Sequence, residues 1–421
     1  MAEQTPPTAA EDDEKPDRVS PIAALKHGQY RLLWSGGLFS GAAQTMQLFV
    51  NSYVVYEISG SAFQLGLTGV FAAMPVLLFS LLGGAMADKL DRRRLLTVTQ
   101  GIRLLPSLFL AVIAAGGGLA VWHIYLVTLL SNTAGIFDRP ARQALVSNLV
   151  PREHLTNALT LNGIVGQFYN IVGPTIAGFV LAATDPTVSY ATNFFLYMLA
   201  WFAVLLLKAP PTPARPGRGG YLSMIGEGIE FARGRPVILS LLVLDLFVTG
   251  FGSGVFRQLM PVFAKDVFEV GPSGLGLLVS SFALGAFIGS NLLLAAGDFK
   301  HKGRVILIAL FIHGLALIAF GLVPWFYIVL PITVIAGISD QIGAVVRNAM
   351  ILLMTPNELR GRMEAIRVTF TATAPPLGSI QGGIVATAIG APLAVVMGGV
   401  VTVVAVTVAD RIVPAIRKVT T

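Results

Sequence analysis

The stretch GGAMADKLDRRRLL, residues 83–96, decides how this chain is read. Six of the seven residues from Asp88 to Arg94 are charged, in a chain of 421 residues that is 12% charged and 54% hydrophobic. A soluble domain carries roughly 25% charged residues. Long apolar runs flank the charged one, and such runs recur along the whole length. About 20 helical residues cross the ~30 Å hydrocarbon layer of a bilayer. A large soluble protein with an apolar core is therefore excluded. The pattern predicts an all-α polytopic membrane protein, with the charged run as a loop between two spans.

Candidate spans fall near 34–56, 62–86, 95–117, 121–139, 158–183, 187–207, 236–258, 271–296, 303–323, 325–347, 366–390 and 391–413, numbered 1 to 12 in chain order. The polar, Pro- and Gly-rich stretch KAPPTPARPGRGG (208–220) divides them six and six. The expected plan is a disordered cytoplasmic tail at 1–28, an N-terminal six-helix bundle at 29–207, a cytoplasmic linker at 208–235 and a C-terminal bundle at 236–421. An amphipathic helix is expected at 221–233. The tail lacks an apolar core and does not have the pattern of a signal peptide.

Orientation follows from Lys and Arg, which are enriched in cytoplasmic loops. With the N-terminus inside, all but Arg257 and Lys265 of the 29 lysines and arginines fall on the inner side. An even number of spans returns both termini to the cytoplasm. The net charge of +7 is thus a topological signal and does not imply nucleic acid as a partner. The absence of cysteine excludes disulfides, thiolate nucleophiles and cysteine metal sites.

The chain repeats itself. A shift of 205 residues lays Arg142 on Arg347, Ala144 on Ala349, Pro151 on Pro356, Glu153 on Glu358, Gly173 on Gly378 and Gly178 on Gly383. A shift of 210 lays Asp88 on Asp298 and Arg94 on Arg304. Two blocks at nearly equal offsets indicate duplicated halves. Two parallel six-helix repeats are a transporter plan, with the substrate site at the midplane between them.

GAMADKLDRRR (84–94) resembles the signature of the major facilitator superfamily between helices 2 and 3. Gly84, Asp88, Lys89, Arg92, Arg93 and Arg94 fill its places, and Asp91 stands where most members have glycine. ADKLDRRRLL (87–96), FDRPARQALVSNLVPREHLTNALTLN (137–162) and VGPTIAGFV (172–180) narrow the resemblance to the branch containing enterobactin exporters and macrolide efflux pumps. The resemblance implies the major facilitator fold, twelve transmembrane helices in two pseudo-symmetric bundles, in a bacterial cytoplasmic (inner) membrane. The branch's acidic residue and arginine in helix 1 are missing: the region reads SGAAQTMQLFVN (40–51), with Gln44, Gln47 and Asn51.

Three groups of residues carry the expected function. The first is a cytoplasmic latch. Asp88 should lie near the start of helix 11, where a carboxylate at a helix N-terminus gains roughly 0.3–1 kcal/mol. With Gly84, Lys89, Arg92, Arg93 and Arg142 it would hold the inner rim shut; Asp298, Arg304 and Arg347 would form a weaker copy. The alternative is that these charges only anchor topology. The second is the helix 5 motif Gly173, Pro174 and Gly178. It sits where the superfamily's antiporters carry a Gly-Pro motif, though Tyr169 replaces a usual glycine. It implies export of substrate in exchange for protons; a kink without bearing on coupling is the alternative.

The third group is charge and polarity inside the membrane, which is costly and marks function. Asp245 in span 7 is the first candidate for a proton carrier and Asp340 in span 10 the second. A fixed partner of an arginine is the alternative for each. Asp138 is expected to be held structurally by Arg142, and His313 to be a neutral, hydrogen-bonded imidazole. Gln44, Gln47, Asn51, Gln167 and Asn170 are candidate polar groups of the cavity, with Phe247, Phe251, Phe282 and Phe370 as an apolar wall. Such a cavity suits an amphipathic molecule.

No Walker loop, HExxH, GxSxG or Cys/His cluster occurs, so neither ATP, a metal, another cofactor nor catalysis is implied. The expected function is proton-coupled efflux of a drug-like or siderophore-like molecule by a monomer in the lipid bilayer, through alternating access. An uptake symporter or uniporter of the same fold, or a non-transporting sensor, is the alternative.

Overall fold

The computed structural model describes residues 22–89, 91–208, 226 and 229–419. Among the described residues, twelve long helices follow one another: α1 Gly28–Ser59, α2 Ala62–Lys89, α3 Arg92–Ala115, α4 Val121–Leu149, α5 Arg152–Ala183, α6 Pro186–Leu205, α7 Pro236–Val267, α8 Gly271–Ala296, α9 Lys302–Leu322, α10 Phe326–Leu353, α11 Arg360–Ile389 and α12 Ala391–Ile412. There is no strand among the described residues. Among the described residues, eight helices are long and apolar enough to cross a membrane by length and composition: α3, α5 to α10, and α12. Polar residues dilute three of the others. α1 carries Gln44, Gln47 and Asn51; α4 carries His123, Asn132 and Asp138; α11 carries Pro375, Pro376 and Gln381. Helices that line a polar cavity can be less apolar than helices that face only lipid.

Side-chain caps set the starts of α3 and α6. Asp91, where a glycine was expected, is the N-cap of α3: its carboxylate accepts from Arg94 N at 2.8 Å. Asp185 caps α6 by accepting from Val188 N at 2.9 Å. α4 runs to Leu149, α5 starts at Arg152, and α7 continues past its expected end at 258 to Val267. Two π-helical segments, Phe247–Gly254 and Phe263–Val267, interrupt α7, and π-bulges concentrate at functional sites.

The expected disordered tail does not extend to residue 28. Ala23–Lys26 form a 3₁₀ turn whose Ala24 is buried, and Ala24 N donates to Asn157 of α5 at 2.9 Å. Residues 1–21, and most of the expected linker and amphipathic helix, lie outside the described residues; 229–233 are helical.

Packing repeats between the halves. α1 packs on α4, α5 and α6, as α7 packs on α10, α11 and α12. α2 packs on α4, as α8 packs on α10; α3 packs on α4 and α6, as α9 packs on α10 and α12. Between the halves α2 lies against α11, and its counterpart α8 lies against α5. Helices run alternately up and down, so the start of α1 shares an end with the α2–α3 connection. This is called the basic end, after the arginines of that connection. At the opposite end one apolar cluster spans both halves, through Tyr53, Leu65 and Ala177 of the first and Phe256, Leu275 and Ala386 of the second. At the basic end, among the described residues, each half has its own cluster, around Leu33 and Leu145 in one and Leu307 and Met350 in the other.

Candidate functional site

Between the halves, α1, α5, α7, α8 and α10 enclose a cavity of 410 Å³. α1 contributes Thr45, Leu48, Phe49 and Ser52; α5 contributes Gln167, Asn170 and Pro174; α8 contributes Phe282. Its charged side chains are Arg257 and Asp340. A smaller pocket of 190 Å³ shares Leu48, Ser52 and Arg257, and adds Asn51, Ser253, Gln258 and Ser379.

Arg257 is the residue that the sequence misassigned. With span 7 ending at 258 it reads as a cation at the outer end of that span, away from the inner side. Because α7 runs on to Val267, Arg257 sits inside the helix and against the cavity. Its Nη2 donates to Asp340 Oδ2 at 2.9 Å, and its guanidinium lies 4.8 Å from the Phe282 ring centroid. Its side chain is still 54% exposed. A guanidinium carries five donors, so it can engage a second acceptor. The signal in the sequence was the exception itself: an arginine on the wrong side of the positive-inside tally, followed by the apolar run LMPVFA.

Asp340 also accepts from Ser253 Oγ at 2.9 Å, and Ser253 Oγ lies 2.9 Å from His313 Nε2. His313 Nδ1 is 3.0 Å from Ala336 O. Asp245 is elsewhere. It is buried in an ion pair with Arg347 of α10 and also accepts from Thr249 at 2.9 Å. In the first half Asp138 accepts from Gln100 at 2.6 Å and pairs with Arg142 at 3.4 Å. Arg142 also donates to Leu33 O of α1 at 3.1 Å. Arg103, counted as a loop cation from the sequence, is buried in α3 and donates to Ser40 Oγ at 3.1 Å.

The cavity face of α1 lies one residue round from the expected one. Gln47 turns toward α6 and accepts from Tyr197 OH at 3.1 Å. Asn51 donates to Thr128 of α4 at 3.1 Å. Gln44 faces a second cavity, of 450 Å³, between α1, α4 and α5, with Arg103 and Asp138. Helical spacing put these amides near one face, but α4 and α6 claim that face. Of the expected aromatics, Phe282 lines the central cavity. Phe247 and Phe251 stack on each other at 5.5 Å, and Phe370 packs into the basic-end cluster of the second half.

The helix 5 motif is an interface. Gly173 leaves room for Thr45 of α1, and Gly178 for Pro272 and Gly276 of α8. Pro174 removes a backbone donor inside α5. Hydroxyls of α1 and α8 reach carbonyls beside that gap: Thr45 donates to Tyr169 O at 3.1 Å and Ser280 to Ile171 O at 3.0 Å. Tyr169, in place of the usual glycine, lays its ring on Gly41 of α1.

Of the latch residues, the side chains of Gly84, Asp88 and Lys89 lie outside the described residues. Arg92 donates to Ala144 O at 3.3 Å and Arg93 to Leu205 O at 2.8 Å, which tie α3 to α4 and to the end of α6 in the same half. The expected second copy has other partners. Asp298 is bonded by Lys302 at 2.7 Å, which holds its carboxyl below the usual carboxylate range, and Arg347 is engaged by Asp245. Arg304 lines a groove between α9 and α12. Among the described residues no His, Asp or Glu cluster is placed to hold a metal.

Paired six-helix packing around a central cavity defines a transporter of the major facilitator type. Among solved structures, a bacterial homologue of the human lysosomal transporter Spinster matches with a TM-score of 0.69 at 16% identity, covering 93% of this chain and 97% of that one. A D-xylose–proton symporter matches with a TM-score of 0.70 at 14% identity, covering 95% and 99%. These share the fold. The chain belongs to the transmembrane secretion effector family, which it matches over residues 19–419. The multidrug efflux pump Tap of Mycolicibacterium fortuitum is 25% identical over 374 residues, 87% of this chain and 91% of that protein. Macrolide efflux protein A of Streptococcus pyogenes is 23% identical over 366 residues, covering 86% and 90%. The enterobactin exporter EntS of Shigella boydii is 24% identical over 337 residues, covering 78% and 79%.

Proposed function

We propose that this chain is a proton-coupled exporter of amphipathic small molecules, working by alternating access in a bacterial cytoplasmic membrane. In this reading it is a monomer of twelve spans, with bundles at 29–207 and 236–421 and both termini inside. The observation that carries it is the 410 Å³ cavity between the halves, apolar on most sides, with a single ion pair and the amides of Gln167, Asn170 and Gln341 in its wall. A mostly apolar pocket with a few convergent polar groups binds and orients a medium-sized amphipathic ligand. Tap, macrolide efflux protein A and EntS, by their names, carry multiple drugs, macrolides and enterobactin outward, and these suggest the substrates to try first.

The basic end is the cytoplasmic one in this reading, because Lys and Arg concentrate there. The inner-rim latch of Asp88 with Arg92 and Arg142 belongs to the proposal and rests on the signature alone. The decisive experiment is flux in proteoliposomes under an imposed pH gradient, with macrolides, lipophilic drugs and catecholate siderophores. Outward movement against the substrate gradient, driven by inward proton flow, is the expected result. Uptake in the same direction as protons would replace the exporter with a symporter. Absence of flux for every compound would remove the transport reading.

A further inference from the structure

A chain of hydrogen bonds runs from the cavity wall into the second bundle. Arg257 of α7 donates to Asp340 of α10 at 2.9 Å, Asp340 Oδ1 is 2.9 Å from Ser253 Oγ of α7, and Ser253 Oγ is 2.9 Å from His313 Nε2 of α9. His313 Nδ1 ends the chain at Ala336 O, 3.0 Å away. His313 is 0% exposed and Ser253 1%, while Asp340 borders the cavity.

The hydrogens can be counted. A backbone carbonyl only accepts, so Nδ1 carries a hydrogen, and the other ring nitrogen is set accordingly. Ser253 Oγ lies in two hydrogen bonds, to Nε2 and to Oδ1. Two bonds need two hydrogens, and a hydroxyl supplies one. The other comes from an Nε2–H or from a protonated Asp340. Neutral His313 beside ionised Asp340 is one hydrogen short.

We propose that Asp340, Ser253 and His313 form a binding site for one transferable proton, with Arg257 as its partner on the cavity side. Only the use made of the proton rests on the coupled-export reading; the hydrogen count does not. In the form with the proton on Nε2, His313 is an imidazolium and Asp340 a carboxylate. Transfer breaks the Nε2–H bond as Ser253 Oγ takes that proton and gives its own to Asp340 Oδ1. The products are a neutral Nδ1–H imidazole and a carboxylic acid, and the trio's net charge is unchanged. Asp340 then releases the proton to the cavity. Loss of that proton leaves one hydrogen for two bonds at Ser253, so one tie between α7 and its neighbours α9 and α10 opens. A ligand group that draws Arg257 away removes the cation that favours ionised Asp340, and so favours proton retention.

The charged groups facing the trio are Arg257 on α7 and Arg347 on α10, the latter already paired with Asp245. α12 also packs on α9, and at this depth it presents the hydroxyl of Thr402 beside Gly252. Asp245 needs no additional hydrogen, since it accepts from Arg347 and Thr249.

The chain has 5 histidines, so nitrogen spectra of histidine-labelled protein in nanodiscs can resolve His313, assigned by its absence in His313→Gln. In the wild type, His313 is expected to pass from imidazolium to the Nδ1–H neutral tautomer as pH rises. In Asp340→Asn it is expected to stay neutral over the same range, and in Ser253→Ala the transition is expected to move. An Nε2–H tautomer at every pH, or the same transition in all three proteins, would overturn the site. If His313→Gln does not fold, Ser253→Ala and Asp340→Asn still identify the signal by its shift. Flux driven by a pH gradient is expected in the wild type and lost in Asp340→Asn. A wild type that shows the tautomer change without such flux keeps the proton site and overturns the coupled-export reading.

Discussion

Gly178 and Gly383 make the same contact from opposite halves. A Cβ on Gly178 would lie 2.7 Å from Pro272 O of α8, and one on Gly383 would lie 2.7 Å from Ala62 O of α2. Their upstream partners agree as well: Gly173 faces Thr45 of α1, and Gly378 faces Gly250 of α7. In each half the first glycine seats the helix on its own bundle and the second seats it on the other bundle. A methyl at the second position meets backbone carbonyl, which cannot swing aside as a side chain can.

Gly178→Ala and Gly383→Ala are therefore expected to destabilise the protein similarly, by about 1–3 kcal/mol each, the usual range for overpacking. Thermal unfolding in detergent measures this. A Gly163→Ala control, whose Cβ meets nothing within 4 Å, is expected to leave the midpoint in place. If Gly178→Ala behaves like that control, the close approach of α5 and α8 is wrong.

The repeat and the fold were legible because duplication and hydropathy are written in residue order. A shift of 205 residues already paired these four glycines, and the apolar runs gave the helix order. The site was less legible, because it depends on where a helix stops and which way it is turned. Ending span 7 at 258 left Arg257 at the outer end of the helix and off the list of cavity residues. Gln44, Gln47 and Asn51 share one side of a helical wheel, but the contacts of Gln47 with α6 and Asn51 with α4 are long-range, and spacing within α1 says nothing of them. Asp245 and Asp340 both read first as proton-carrying buried acids, with an arginine partner as the alternative for each. Their arginines lie 102 residues away in one case and 83 in the other, on different helices.

Asp245 and Arg347 form a buried pair, so removing one member strands the other. Asp245→Asn or Arg347→Gln alone is expected to cost about 3–5 kcal/mol, and the double variant less than the sum of the two. Thermal midpoints of the three variants form the cycle. Strict additivity would mean that the pair is not the contact seen here. Retained pH-driven transport in a stably folded double variant would remove Asp245 from the list of proton carriers.

Arg257 is the cation in the wall of the central cavity, and in the proposed function it meets the ligand. Arg257→Gln is expected to raise KM for anionic substrates about 10-fold or more, as expected for loss of a charge-assisted hydrogen bond of about 1.5–3 kcal/mol. Neutral substrates are expected to change less. Arg257→Lys keeps the charge without the planar fork and the stacking on Phe282, and is expected to fall between the two. Transport assays with an acidic compound and its neutral ester separate these effects; equal losses for both would mean that Arg257 holds the cavity's shape rather than its ligand.

At the end away from the basic rim, the halves are joined by named polar contacts. Tyr56 OH of α1 donates to Asp266 of α7, and Lys265 lies 5.7 Å from the Tyr56 ring centroid. Gln258 of α7 donates to Leu65 O and, at 3.1 Å, to Thr68 Oγ1 of α2, and accepts from Ser379 of α11 at 3.2 Å. Contacts that exist only while this end is shut bias the protein toward the state in which it is shut. Tyr56→Phe removes one such bond without changing the ring. A net loss of about 1 kcal/mol is expected, which shifts the ratio of shut to open molecules about 5-fold. Spin labels at Gly60 and Glu269, on the loops flanking this contact, report the change as a larger population at long distance. The effect of Tyr56→Phe with Gln258→Leu is expected to exceed that of either alone. Distance distributions that stay the same in the double variant would mean that apolar packing across the halves, through Phe256 and Leu65, holds this end without help from the polar contacts.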